Sequence, residues 1–140
     1  MPDNLQKIVF VGLLLLSFSF PVSAPTSESL MVFKPRPIEP FNRLIYAIGM
    51  VETMCDTLAY NPIEEAAGYF QIRPVRLQDY NQRTGSNYNM KDLFNYEISE
   101  KIFLYYAVQL GPYNFEQIAR NWNGRGARTY QYWNRIKKYL

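Results

Sequence analysis

Proline sets the outer limit of what this chain can fold into. Between Pro25 and Pro40 the sequence is rich in proline and serine, with Lys34-Pro35-Arg36-Pro37 inside it. Each proline fixes φ and removes a backbone donor, so residues 25–40 read as an extended tether with no packed element. A folded domain has only residues 41–140 to use. That length supports one hydrophobic core and is too short for two.

Ahead of the tether, residues 1–24 carry Lys7, the apolar run Ile8 to Leu16, then Ser17 to Phe20 and Pro21-Val22-Ser23-Ala24, with small residues where a signal peptidase cuts. The run is too short for a comfortable membrane span and reads as an export signal. Asp3 dilutes the positive end and Pro25 would directly follow the cut bond, so retention as a membrane anchor is the alternative. Either outcome puts the domain outside the cytoplasm, in the periplasm, the cell envelope or the medium.

Within the domain the apolar spacing is helical. Leu44, Ile45, Ile48 and Val51 predict an amphipathic helix from Phe41 to about Thr53, with Glu52 on its last turn and on the face of Ile45 and Ile48. Thr57 to Gln71 contains Asn61-Pro62 and Gly68 and lacks a helical period, which predicts a loop or short hairpin. Pro74 opens a short helix that ends near Thr84-Gly85. Asp92 to Leu110 is the longest helical pattern, turning Leu93, Ile98, Ile102, Phe103, Tyr106 and Leu110 inward, with Gly111-Pro112 as its stop. Asn114 caps a helix running to about Trp122, and after the Gly124-Arg125-Gly126 turn a last helix spans about Ala127 to Tyr139. No strand pattern is long enough for a principal sheet. The expected class is all-α, a single domain with a small irregular or hairpin loop.

Composition narrows the chemistry. The chain has no histidine and one cysteine, Cys55, which excludes an intramolecular disulfide, an imidazole-assisted serine or cysteine nucleophile, histidine-bound zinc and a thiolate cluster. Carboxylates are left as the general acids or bases, and neither cofactor nor metal is expected. The formal charge is only +3, yet from Arg120 onward the chain carries Arg125, Arg128, Arg135, Lys137 and Lys138 and no acidic residue. Such an end suits a polyanionic neighbour, and equally an ordinary solvated helix face.

Taken singly, a glutamate at a helix end, a Gly-Tyr-Phe-Gln string and a Trp-Asn-Gly string are commonplace. Their order is not. Ile48-Gly49-Met50-Val51-Glu52-Thr53 resembles the catalytic helix of the lytic transglycosylases, where glutamate followed by serine closes a helix. Gly68-Tyr69-Phe70-Gln71-Ile72-Arg73-Pro74 is similar to that family's Gly-Leu-Met-Gln-Ile-Met-Pro segment, and Asp92-Leu93-Phe94 with its long helix has a counterpart there. Asn121-Trp122-Asn123-Gly124 resembles the Ala-Tyr-Asn-Gly motif, and Thr129-Tyr130-Gln131-Tyr132-Trp133 places Tyr132 where the family has a tyrosine near the acid. The resemblance implies a lysozyme-like fold and cleavage of the MurNAc-GlcNAc β-1,4 bond of peptidoglycan, with Glu52 as catalytic acid and base. It further implies that the substrate's own N-acetyl and 6-hydroxyl groups replace a second carboxylate, giving a 1,6-anhydromuramyl end. Thr53 stands in place of serine, Tyr69-Phe70 of Leu-Met, Trp122 of tyrosine, and Glu64-Glu65 of small neutral residues; the last substitution has no explanation in the sequence.

The same chemistry can be argued from the residues. Breaking a glycosidic bond needs a carboxylic acid still protonated near neutral pH, and burial against apolar neighbours provides one. Glu52, on an otherwise apolar face and followed by Thr53, meets that description, and Tyr132 would orient it if the last helix packs alongside. Gln71 and Asn123 offer donor and acceptor to acetamido groups, or else cap loops. Gly68 suits a close approach of backbone to sugar, or a plain turn. Tyr69, Phe70 and Trp122 suit stacking on sugar faces, or a core. A second carboxylate from Asp56, Glu64 or Glu65 would make the enzyme a hydrolytic lysozyme. The other rivals are an inactive wall-binding module, against which Glu52 speaks, and a nucleic-acid binder, against which the export signal speaks. The expected partner is peptidoglycan, the expected state a monomer, and no nucleic acid is expected. The role is open among wall remodelling, a secretion or conjugation apparatus and phage lysis.

Overall fold

Residues 40–140 are described by a computed structural model and fall within one compact unit. The expected export signal, and the expected tether up to residue 39, lie outside the described residues. Helix α1 spans Asn42–Glu52, and the three- and four-residue recurrence of its apolar side chains buries Leu44, Ile45, Ala47 and Ile48 on one face. Gly49 lies on that face too. A Cβ there would overlap the phenol ring of Tyr69, so the absence of a side chain is what lets the next segment close over the helix. α1 ends because Met54 and Cys55 turn left-handed, at φ 55° and 66°. The N–H groups of Thr53 and Cys55 both donate to the Gly49 carbonyl, each at 3.0 Å. Glu52 is thereby the last helical residue.

The next segment is a short hairpin. Strands β1, Tyr60–Asn61, and β2, Ala66–Ala67, pair antiparallel with Tyr60 opposite Ala67. The Asn61 carboxamide accepts from the Ile63 and Glu64 N–H groups at 3.0 and 3.4 Å, the side-chain turn that asparagine favours. The chain then doubles back again: Ala67 bridges Ile72, and Gln71 N–H donates to the Gly68 carbonyl at 3.0 Å.

Helix α2, Pro74–Thr84, begins on a proline and stops at Gly85 in the left-handed conformation, φ 70°, which costs glycine nothing. The long pattern from Asp92 to Leu110 is not one helix. It divides into a 3-10 turn at Met90–Phe94, helix α3 at Tyr96–Ala107 and a 3-10 turn at Val108–Leu110. The reason is local: Asn95 accepts from the Glu97 and Ile98 N–H groups at 2.9 and 3.3 Å and so starts a new helix. Asp92 closes the earlier turn, accepting from Asn89 N–H at 2.7 Å. Ile98, Tyr106 and Leu110 are consequently only partly buried, and the inner face is Ser99, Ile102, Phe103 and Ala107.

Helix α4, Phe115–Asn123, is capped by Asn114, and α5, Arg128–Ile136, ends earlier than the spacing predicts. α5 packs on α4 and on α1. The core centres on stacked rings: Phe70 and Phe103 lie 4.7 Å apart and nearly parallel, with Trp122 edge-on to Phe103 at 5.1 Å. The fold is mostly helical with one two-stranded sheet among the described residues, compatible with the all-α expectation. No helix among them is long and apolar enough to cross a membrane.

Candidate active site

Tyr132 and Glu52, eighty residues apart, meet where α5 crosses the end of α1. Tyr132 is buried, and a buried phenol needs a partner for its hydroxyl. It finds one in Glu52 Oε1, to which it donates at 2.7 Å. Arg135, one turn further along α5, donates to the Val51 carbonyl at 2.9 Å and pins the same helix end. Burial pushes the Glu52 carboxyl above its ordinary value of 4.5; the Tyr132 hydrogen bond and the charges of Arg135 and Arg73 pull the other way without cancelling it, and the charge of Glu64 adds to the rise. Glu52 is a carboxyl biased toward its protonated form. Tyr132 is raised in turn, by burial first and then by the charge of Glu52, so it stays a hydrogen-bond donor.

Glu52 opens onto a cleft of about 180 Å³ lined by Gln71, Arg73, Val75, Arg76, Trp122 and Asn123, together with Glu64 and Gly124. Gln71 reaches it from the tight turn, in a left-handed conformation of φ 49°, with its amide donating to the Gly68 and Ala59 carbonyls at 3.1 and 3.4 Å. The Gln71 oxygen remains an acceptor toward the cleft. Asn123 is the last residue of α4, not a loop residue, and its side chain makes no hydrogen bond within the described residues. It offers the cleft both a donor and an acceptor. Trp122 is largely buried, donates from Nε1 to the Phe70 carbonyl at 3.1 Å, and forms part of the cleft wall.

Four residues expected to touch substrate do not line this cleft and make contacts within the fold. Thr53 Oγ1 donates to the Gly49 and Tyr69 carbonyls at 3.3 and 3.2 Å, tying the hairpin segment to α1. Gly68 has a φ of 73°, and a side chain there would strike the Leu93 carbonyl, which is reason enough for glycine. Tyr69 lies over Gly49 with its hydroxyl 3.4 Å from Cys55 Sγ. Phe70 is fully buried in the ring stack. Neither aromatic lines the cleft, because the turn that presents Gln71 folds both inward against α1 and α3.

Two cleft arginines lie outside the sequence-based site. Arg76 lies over the Trp122 ring at 4.2 Å and the Tyr106 ring at 5.1 Å, and donates to the Trp122 carbonyl at 3.1 Å. Burial lowers its guanidinium from the ordinary value, and these ring contacts hold Trp122 in place. Arg73 pairs with Glu64 at 3.2 Å. Both are about half exposed, so the pair contributes only about 0–1 kcal/mol and opens readily. Arg73 immediately precedes Pro74 and Arg76 follows it by two residues, a few positions after Gln71; their sequence signal is the placement of a helix start close to a cleft residue. Asp56, by contrast, accepts from Leu58 N–H at 2.8 Å in a local turn, and neither it nor Glu65 lines the cleft.

No protein-family model, curated protein or solved structure matches the chain. Its resemblance to the lytic transglycosylases therefore rests on the motif residues themselves. Of these, Glu52, Gln71, Trp122 and Asn123 meet at one cleft, with Tyr132 bonded to Glu52 from behind. Among the described residues no group of histidine, cysteine and carboxylate side chains is placed to hold a metal ion.

The raised carboxyl has a stability consequence of fixed sign. A folded pKa above the unfolded one means that the folded state binds more protons between the two values. Below the unfolded value both states are protonated and Glu52 is neutral in its effect; as pH climbs through the folded value the carboxylate weakens the fold, and the loss is complete above it. Glu52→Gln, which keeps an acceptor for Tyr132, is expected to melt higher than the parent at pH 7 and at the same temperature below pH 4. Melting curves of both proteins across that range check this. Equal melting at neutral pH would mean that the carboxylate is solvated or fully compensated.

Proposed function

We propose that this chain is a peptidoglycan lytic transglycosylase on a lysozyme-like fold, cutting glycan strands at the MurNAc-GlcNAc β-1,4 bond with Glu52 as acid and then base. The observation that carries this reading is the partly buried Tyr132–Glu52 hydrogen bond at the head of a polar cleft. It supplies an oriented carboxyl biased toward the protonated form, which is what departure of a sugar oxygen requires. In the proposed reaction Glu52 gives its proton to the glycosidic oxygen while the neighbouring acetamido group stabilises the cationic carbon. The resulting carboxylate then takes the proton of the sugar's 6-hydroxyl as that oxygen closes the anhydro ring. Proton and charge return to their starting state. In this reading Gln71 and Asn123, which line the cleft together with Trp122, hold acetamido groups. The proposal includes export and action in the cell envelope.

A second reading is favoured by one specific observation: Glu64 shares the cleft with Glu52. As a second carboxylate it would activate water and make the enzyme a hydrolase. Its half-exposed pairing with Arg73 instead suits a surface ion pair. Release of soluble fragments from purified sacculi tests the common core of both readings, and Glu64→Gln separates them. We expect this variant to keep most of the parent's rate and the same anhydro products. A severe loss of rate, together with reducing-end products from the parent, would establish hydrolysis.

A further inference from the structure

We infer that the cleft continues into a second binding site, for a carboxylate on a peptide arm borne by the glycan strand; this inference rests on the glycan-cleavage reading. Beyond Arg73 lies a cavity of about 360 Å³ lined by Glu64, Arg73, Asn123, Gly124, Arg125 and Arg128. The first four also line the Glu52 cleft, so the two spaces share a wall and groups borne by a polymer bound at Glu52 can reach the second. Three guanidinium groups face one carboxylate there. That carboxylate, Glu64, is already held by Arg73 at 3.2 Å.

The side chains of Arg125 and Arg128 have no ion pair, hydrogen bond or ring contact among the described residues. Arg125 is carried on the turn between Gly124 and Gly126, whose φ angles of 128° and 90° only glycine adopts readily. Arg128 opens α5, where the helix dipole adds to the positive potential. Both are exposed to solvent, so neither guanidinium is tied up within the fold and both are available to an incoming anion. A planar fork of donors beside a polymer cleft matches an oxyanion, which guanidinium binds through two parallel hydrogen bonds. An uncharged sugar ring makes no use of that charge. Peptide arms on a glycan strand carry free carboxylates, and the wall that the two cavities share puts such an arm beside the arginines. Arg73 adds a third donor when its half-exposed pair with Glu64 opens.

The experiment compares the full chain with its Arg125→Gln, Arg128→Gln double variant on two substrates, sacculi with their peptides and glycan strands stripped of peptide by an amidase and then amidated at the lactyl carboxylate which that cut exposes. The expected result is a rate loss on the order of 10-fold on the peptide-bearing substrate, with the rate on stripped strands unchanged. An equal loss on both substrates, or no loss on either, would overturn the inference. A second arm is independent of turnover: NMR of the arginine side-chain N–H groups during titration with glutarate, and separately with inorganic phosphate. Glutarate is expected to shift the Arg125 and Arg128 signals and to leave the double variant silent. No response to glutarate, or a response to phosphate alone, would overturn it. If the parent cuts neither substrate, the cleavage reading fails on the first arm while the titration still decides whether a carboxylate site exists.

Discussion

Glu52→Gln is expected to remain folded and to lose about 100-fold to 10,000-fold in turnover, the range for removal of a general acid. The amide matches the carboxyl in shape and can still accept from the Tyr132 hydroxyl, so the contact between α1 and α5 survives. What it cannot do is give up a proton. Initial rates of fragment release from labelled sacculi measure the effect, alongside a cooperative melting curve for the variant. A folded variant with a rate close to the parent's would remove Glu52 from the mechanism and leave the partly buried hydrogen bond as a structural device only.

Gly68→Ala is expected to cause the largest loss of stability. Two costs combine at this position. The left-handed conformation, φ 73°, costs a residue with a Cβ about 1–2 kcal/mol. The new methyl group would also be driven into the Leu93 carbonyl, with Ser99 Oγ at 3.0 Å on its other side, and overpacking of this kind costs about 1–3 kcal/mol more. In a domain of this size each kcal/mol is worth about 4–8 °C, so melting is expected to fall by roughly 10 °C or more. Because Gly68 leads into the turn that presents Gln71, activity should fall with stability. A variant that melts within a degree or two of the parent would mean that the turn relaxes away from Leu93 without penalty.

Much of this architecture is legible in the sequence because its punctuation is chemical. Pro74 can open a helix and cannot sit inside one, Gly85 accepts the left-handed stop, and Asn114 caps the helix that runs on to Asn123. Those three residues place α2 and α4 with little need for tertiary information. The misread element, Asp92 to Leu110, failed for a reason of the same kind. Its apolar period runs on without interruption, but Asn95 offers its own carboxamide to the next two backbone donors and begins the helix later than the period alone implies.

The site divides differently. Glu52 at a helix end is visible locally, whereas its bond to Tyr132 depends on α5 crossing α1, and only the motif resemblance pointed to it. Tyr69 and Phe70 look like sugar-stacking aromatics in a string that also holds Gln71. Which of them faces solvent is decided by the tight turn at Gly68 to Gln71 and by the bare surface of Gly49, and neither is encoded in a period. Glu64 and Arg73 are half-exposed ions whose pairing is a product of the hairpin closing. No local pattern announces that.

The most direct measurement is mass spectrometry of the muropeptides released when purified sacculi are incubated with the parent protein and with Glu52→Gln. The account predicts soluble fragments from the parent whose mass is lower by one water than that of the hydrolysed muropeptides, and almost none from the variant. Sacculi left intact by a folded parent protein would contradict it.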